Sequence, residues 1–250
     1  MPPIFIHLGI AREAASQLGH PIVEQSLGSY LLGATAPDIR FTIGATREET
    51  HFIHLDSEEG ESGVTHLFEA HPELSLTADM NVATQSFIAG YLSHLVTDEA
   101  WIDEIYRPFF GRESLFGNDP MANLLDRGLQ FELDRREQSC IDDMEGIGAE
   151  LSCADCGVVL NFIDTLDLKR WREFIITAVS RDITWERFRT FARRYLVSVQ
   201  NVRIDDVPPL LASLEGRLKQ VLEAVPKERV RAFRDHSITT SVAIAREYLG

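Results

Sequence analysis

Residues 81–106 constrain the fold most strongly. Phe87, Ile88, Tyr91, Leu92, Leu95, Ile102 and Ile105 recur at intervals of three and four, the spacing that gathers side chains on one face of an α-helix. A helix is expected there, ended by Pro108, because proline cannot continue a regular helical ladder. The same periodicity predicts helices over 8–18 and 22–34, with Ile22, Val23, Leu27, Tyr30, Leu31 and Ala34 on the buried face of the second. Pro37 is expected to stop that helix and leave Asp38 just past its end. Residues 40–63 read as a loop with one helical turn around His51, and a short helix is expected over 64–71. Residues 110–119 read as a loop, 120–147 as a helix, and 146–157, with its glycines, as another loop. Four amphipathic helices follow at 167–180, 182–200, 207–224 and 226–249. No polar/apolar alternation exceeds four residues, and there is no repeat or low-complexity segment. The expectation is an all-α chain folding as one domain over 1–250, a multi-helix bundle.

Charge and cysteine content narrow the function. Against 24 basic residues stand 39 acidic ones, a formal net charge of −15. Such a surface repels nucleic acid at long range, so a nucleic-acid partner is not expected, although a bound dication would invert the local field for a phosphate. Three cysteines do not make a disulfide scaffold. Cys153 and Cys156 have the spacing of half a zinc knuckle, but no second pair completes it. Arg181, Arg187, Arg189, Arg193 and Arg194 read as the solvated face of a helix whose core stripe includes Phe188. No apolar run reaches the length of a membrane span. The opening residues lack a basic region and a cleavage site, so the chain is expected to be cytoplasmic. Oligomeric state is not legible.

The histidines are distributed unevenly. Seven of the eight lie in the first 94 residues, and only His236 lies beyond. On the 81–106 helix His94 and Asp98 are four apart and project from one face. An aspartate in so apolar a segment is costly to bury alone; a dication removes that cost, and zinc accepts both nitrogen and oxygen. A solvated face or a simple His–Asp hydrogen bond would also explain the pair. His7, Asp38 and His51 are each weak signals in isolation, and their co-occurrence is what counts.

Four pieces in this order and spacing resemble a known family: Met-Pro-x4-His (His7), Leu-Leu-Gly-Ala-x-Ala-Pro-Asp (31–38), Thr-His-Phe (50–52) and Gly-Tyr-Leu-Ser-His-Leu-Val-Thr-Asp (90–98). They are similar to the zinc-dependent phospholipase C and S1/P1 nuclease superfamily, over roughly residues 1–110. The resemblance implies an all-α bundle with ligands drawn from several helices and loops. It implies one zinc surrounded by Asp38, His51, His94 and Asp98, and a neighbouring zinc that takes His7 and shares Asp98. Asp38 would also take or orient the proton of the attacking water. His54 and Glu132 are further candidates for a supporting or extra ligand. One or two zinc ions are expected, because no histidine lies between His94 and His236 to complete a larger set. The implied activity is a zinc-dependent phosphoesterase, phospholipase C-like, acting on a small-molecule or lipid phosphoester. The alternatives are an S1/P1-type nuclease and a non-catalytic, metal-stabilised helical protein. Residues 111–250 have no role in the resemblance.

Overall fold

The computed structural model describes residues 3–53 and 61–250. Among the described residues it is all helical, with no strand. Helix α1 (Ile4–Leu18) ends at Gly19 in the left-handed conformation, φ 56°. The stretch read as one helix over 22–34 is two, α2 (Pro21–Gln25) and α3 (Leu27–Gly33), broken at Ser26. At the break the Ser26 carbonyl accepts from Ser86 Oγ as well as from Tyr30 N, and its hydroxyl donates to Ser29 Oγ. A 3-10 turn over Ala36–Ile39 follows, carrying Asp38, then the short helices α4 (Arg40–Ile43) and α5 (Glu48–His51). Helix α6 spans Gly63–Ala70.

Helix α7 (Val82–Trp101) is the axis of the molecule. Asn81 caps it, its side chain accepting from Thr84 N at 2.9 Å. Nearly every residue from Ser86 to Trp101 is buried, as befits a helix packed on all faces. The polar groups inside it are satisfied rather than solvated: Ser93 Oγ donates to Ser241 Oγ, and Thr97 Oγ1 to Ser93 O. Pro108 does not end the helical path. A π-helical segment continues through Ile102–Phe110, with Gly111 N donating to Tyr106 O, five residues back. The wider winding accommodates a proline that a regular α-helix would reject.

Residues 120–147 also divide, into α8 (Ala122–Cys140) and α9 (Met144–Leu151). Gly146 and Gly148, read as loop, lie within α9, because the Asp143 side chain caps it at Gly146 N and Ile147 and Leu151 are buried in the core. The remaining helices are α10 (Thr165–Val179), α11 (Trp185–Ser198), α12 (Val207–Ala224) and α13 (Lys227–Leu249), close to the periodic segments. Cys140, Cys153 and Cys156 are free and exposed. The arginines of α11 are exposed and Phe188, Ala192 and Leu196 form its buried stripe.

Two apolar clusters fill the interior. One gathers Leu8, Leu31, Leu32, Phe87, Tyr91 and Trp171 around α3, α7 and α10. The other gathers Trp101, Leu124, Leu129, Phe188, Leu214 and Phe233 around α8, α11 and α12. Helix α1 contributes to both, with Phe5 and Leu8 on one side and Ile6 and Ile10 on the other. Helix α13 also joins them, through Ala245 and Phe233. Among the described residues no helix is long and apolar enough to cross a membrane.

The crossing of α3 and α7 fixes the centre described next. A Cβ on Gly33 would overlap the Phe87 carbonyl, and one on Gly90 would overlap the Tyr30 carbonyl. The two backbones therefore touch directly, and only glycine permits that approach.

Candidate metal centre

Five side chains from four segments converge beside this crossing. His7 comes from the first turns of α1, Asp38 from the 3-10 turn, His51 from the end of α5, and His94 and Asp98 from consecutive turns of α7. His7, His51, His94 and Asp98 are buried, and Asp38 keeps 14% of its side chain exposed.

The donor atoms are close. His51 Nε2 lies 3.3 Å from His94 Nε2, 3.2 Å from Asp98 Oδ2 and 3.6 Å from Asp38 Oδ1. His94 Nε2 lies 3.7 Å from Asp98 Oδ2. His7 Nε2 is 3.5 Å from the other carboxylate oxygen, Asp98 Oδ1, and its ring stacks on His94 with centroids 3.8 Å apart. Bonds near 2.1 Å at tetrahedral angles put zinc ligands about 3.4 Å from one another. The observed separations bracket that edge length. Two sets of three meet the spacing a cation needs: His7, His94 and Asp98, and Asp38, His51 and His94.

Hydrogen bonding argues the same way. His7 Nδ1 and Nε2, Asp38 Oδ1 and Asp98 Oδ1 are buried and make no hydrogen bond. Buried polar atoms are nearly always paired, so this many orphans in one place call for a missing partner. The side chains therefore fit a cation. His94 Nδ1 lies 2.9 Å from the Ala34 carbonyl; a carbonyl only accepts, so Nδ1 carries the proton and Nε2 offers its lone pair to the centre. Thr50 Oγ1 sits 2.9 Å from His51 Nδ1 and orients that ring.

Protonation suits ligation. Burial pushes the His7 imidazole down from its ordinary value, with the neighbouring His94 acting in the same direction against Asp98 and Asp38. Burial, helped by the charges of Arg47 and His94, lowers His51 to about 3. Both rings are neutral, the form that binds metal. Burial alone would raise Asp98, but its electrostatic interaction with the His94 ring and the close approach of the His51 and His7 imidazoles outweigh it and hold the carboxyl well below the usual range.

Three supporting groups escaped the sequence reading. The Arg47 guanidinium places Nη1 and Nη2 each 3.3 Å from Asp98 Oδ2, a permanent cation offsetting a buried anion. Its four-residue spacing from His51 was the available signal. The Tyr91 hydroxyl donates to the Thr50 carbonyl and ties the His51 turn to α7. The third is Asp134 on α8. The N-cap of α1, Pro3, has no capping side chain, and Asp134 Oδ1 takes its place by accepting from Ile6 N at 2.9 Å. That bond anchors the turn that carries His7. Burial raises the Asp134 carboxyl to about 7, against the pull of the Ile6 and Phe5 N–H groups.

Other expectations fare differently. Glu132 does not join the cluster; its carboxylate accepts from Arg135 and Arg136 on its own helix, and those guanidiniums hold it below its ordinary value although burial opposes them. His54 lies outside the described residues, as do Met1 and Pro2. Trp101 continues the helix face of Asp98 but is buried in the second cluster. Its ring meets Phe233 edge-on, and its Nε1 donates to Asp126. Phe52, at φ 59°, turns the chain out of α5 and packs on His71 and Phe162.

Residues 6–101 match the family model described as zinc dependent phospholipase C, a span that contains all five converging residues. No curated protein and no solved structure matches the chain.

Proposed function

We propose that the chain is a zinc-dependent phosphoesterase, a reading supported by the match of residues 6–101 to the family model described as zinc dependent phospholipase C. The observation that carries the reading is the set of orphaned donors on His7, Asp38 and Asp98, spaced as zinc ligands are. Asp38, His51, His94 and Asp98 would hold one ion, and His7 with Asp98 would offer a place for a second. Bound zinc supplies Lewis acidity and brings the pKa of water to about 7.

The chain's own residues do the rest. Asp38 is the least enclosed of the five, so its carboxylate faces the approach of water and accepts a proton as the oxygen attacks phosphorus. The new P–O bond forms as the bond to the leaving alcohol breaks, and that alcohol oxygen takes up the proton that Asp38 accepted. Ala34 and Thr50 fix the orientations of His94 and His51, and Arg47 balances Asp98, so the donors are held in place before substrate arrives. The substrate class is a small-molecule or lipid phosphoester.

The test pairs metal content with turnover. Plasma mass spectrometry on the purified protein should find one or two zinc ions per chain, and His94→Ala and Asp98→Ala should lose them. Hydrolysis of a panel of phosphomonoesters, phosphodiesters and phospholipids should disappear with the metal. Unchanged metal in both variants overturns the site. Metal without hydrolysis of any ester overturns the catalytic reading and leaves a metal-stabilised helical protein.

A further inference from the structure

A cleft lies apart from the metal centre, between α1, α8, α12 and α13, with a volume of about 390 Å³. Ile6 and Ile10, Leu129 and Leu133, Leu222 and Phe233 wall it. None of the five converging residues lines it. Its size and apolar lining fall in the range of small-molecule sites.

Its rim is the opposite of the chain as a whole. Arg136, Lys227, Arg231 and Arg234 surround the opening, with Glu137 as the only acid. Two of those cations are already matched: Arg136 with Glu132 at 2.8 Å, and Arg234 with Glu137 at 3.2 Å. Among the described residues Lys227 and Arg231 form no ion pair. They stand one turn apart at the start of α13, where two like charges repel. Lys227, Arg231 and Arg234 fall at i, i+4 and i+7, so they share one stripe over the cleft, with Val230 and Phe233 beneath. In a protein of net charge −15, an apolar recess under two unmatched cations is complementary to an amphiphile with a negative head.

We infer that this cleft binds a single-chain amphiphile, its alkyl or acyl chain against the partly exposed Leu133, Leu222 and Val230 and its anionic head on Lys227 and Arg231. The head is a carboxylate or a phosphate, since both satisfy the same two cations. The site needs neither zinc nor the phosphoesterase activity.

Calorimetric titration with monomeric ligands tests it, each kept below its micelle threshold. Dodecanoate and monododecyl phosphate, which separate the two head groups, should bind with one-to-one stoichiometry. Dodecyltrimethylammonium should bind at least tenfold more weakly. Each methylene added between octanoate and dodecanoate should tighten binding, approaching fourfold per group for full burial. The double variant Lys227→Glu, Arg231→Glu, altering two exposed side chains, should weaken the anions at least tenfold and leave the thermal melt unchanged. Leu133→Trp, which fills the cleft, should abolish binding of every chain length. Equal affinity for the cationic amphiphile, indifference to chain length, or indifference to the charge reversal overturns the inference. So does binding to vesicles of anionic phospholipid with no binding of the monomers, which would mark a membrane-facing surface instead.

Discussion

Replacing Gly90 with alanine tests how the centre is held, without touching any of its donors. The added Cβ would overlap the carbonyl of Tyr30 and press on Ala34 N. That carbonyl is the acceptor of the Ala34 N–H at 2.9 Å, and the Ala34 carbonyl in turn orients His94. Both sides of the clash are backbone, so no rotamer change relieves it. The helices must part by something on the order of 1 Å or more to restore ordinary contact. Overpacking of this kind costs about 1–3 kcal/mol. The second consequence is local: His94 Nδ1 loses its acceptor, and loss of such a supporting bond lowers metal affinity about 10- to 100-fold. Zinc affinity measured by competition with a chromogenic chelator should fall by that factor, with urea unfolding showing the stability loss and circular dichroism showing retained helix. Gly148→Ala is the matched control. Its Cβ would meet nothing within 4 Å, so the change should stabilise α9 by roughly 0.5–1 kcal/mol and leave zinc affinity alone. A Gly90→Ala protein that binds zinc as tightly as the parent would refute the coupling of helix crossing to metal site.

Asp134→Asn should make stability less dependent on pH. The folded carboxyl is raised to about 7 from 3.8, so the folded state keeps a proton that the unfolded chain releases, and stability falls as pH rises from about 4 to 7. The asparagine retains an acceptor for Ile6 N without the charge; its advantage should grow across that window, by up to about 4 kcal/mol, and level off above pH 7. Urea melts at pH 5 and pH 8 check it, and an advantage equal at both refutes the assignment. Tyr91→Phe leaves the buried Thr50 carbonyl without its hydroxyl donor. The cost should be about 1–3 kcal/mol by urea unfolding, with weaker zinc binding because the His51 turn loses its tie. Zinc should raise the melting temperature with the logarithm of its free concentration above Kd, worth about 2.7 kcal/mol at a hundredfold excess over Kd, and a chelator should reverse the shift; an unaltered melt at saturating zinc would contradict a centre formed only in the folded chain.

Much of this architecture is legible in one dimension. The all-α class follows from apolar periodicity, which α7 and the four C-terminal helices display over whole turns. His94 and Asp98 stand out because their spacing is internal to one helix, whereas His7, Asp38 and His51 are weak signals alone and enter the candidate site through the family resemblance. Other features depend on groups far apart in the chain. Ser26, where the helix breaks, also receives the Ser86 hydroxyl on its carbonyl, and no local preference encodes that contact. Asp134 sits in a polar helix like many aspartates, and its role appears only when α8 meets the start of α1. The π-helical segment runs through Pro108 where proline alone predicts a stop. Glu132 shows the reverse error: an acidic residue in a plausible place, already bound by Arg135 and Arg136.

Crystals of the zinc-loaded protein, with anomalous diffraction collected above and below the zinc edge, address the central claim most directly. The account predicts a peak about 2.0–2.2 Å from His94 Nε2 and from an Asp98 oxygen, with His51 and Asp38 completing its shell. A zinc peak elsewhere, with the five side chains arranged around the Arg47 guanidinium alone, would contradict it.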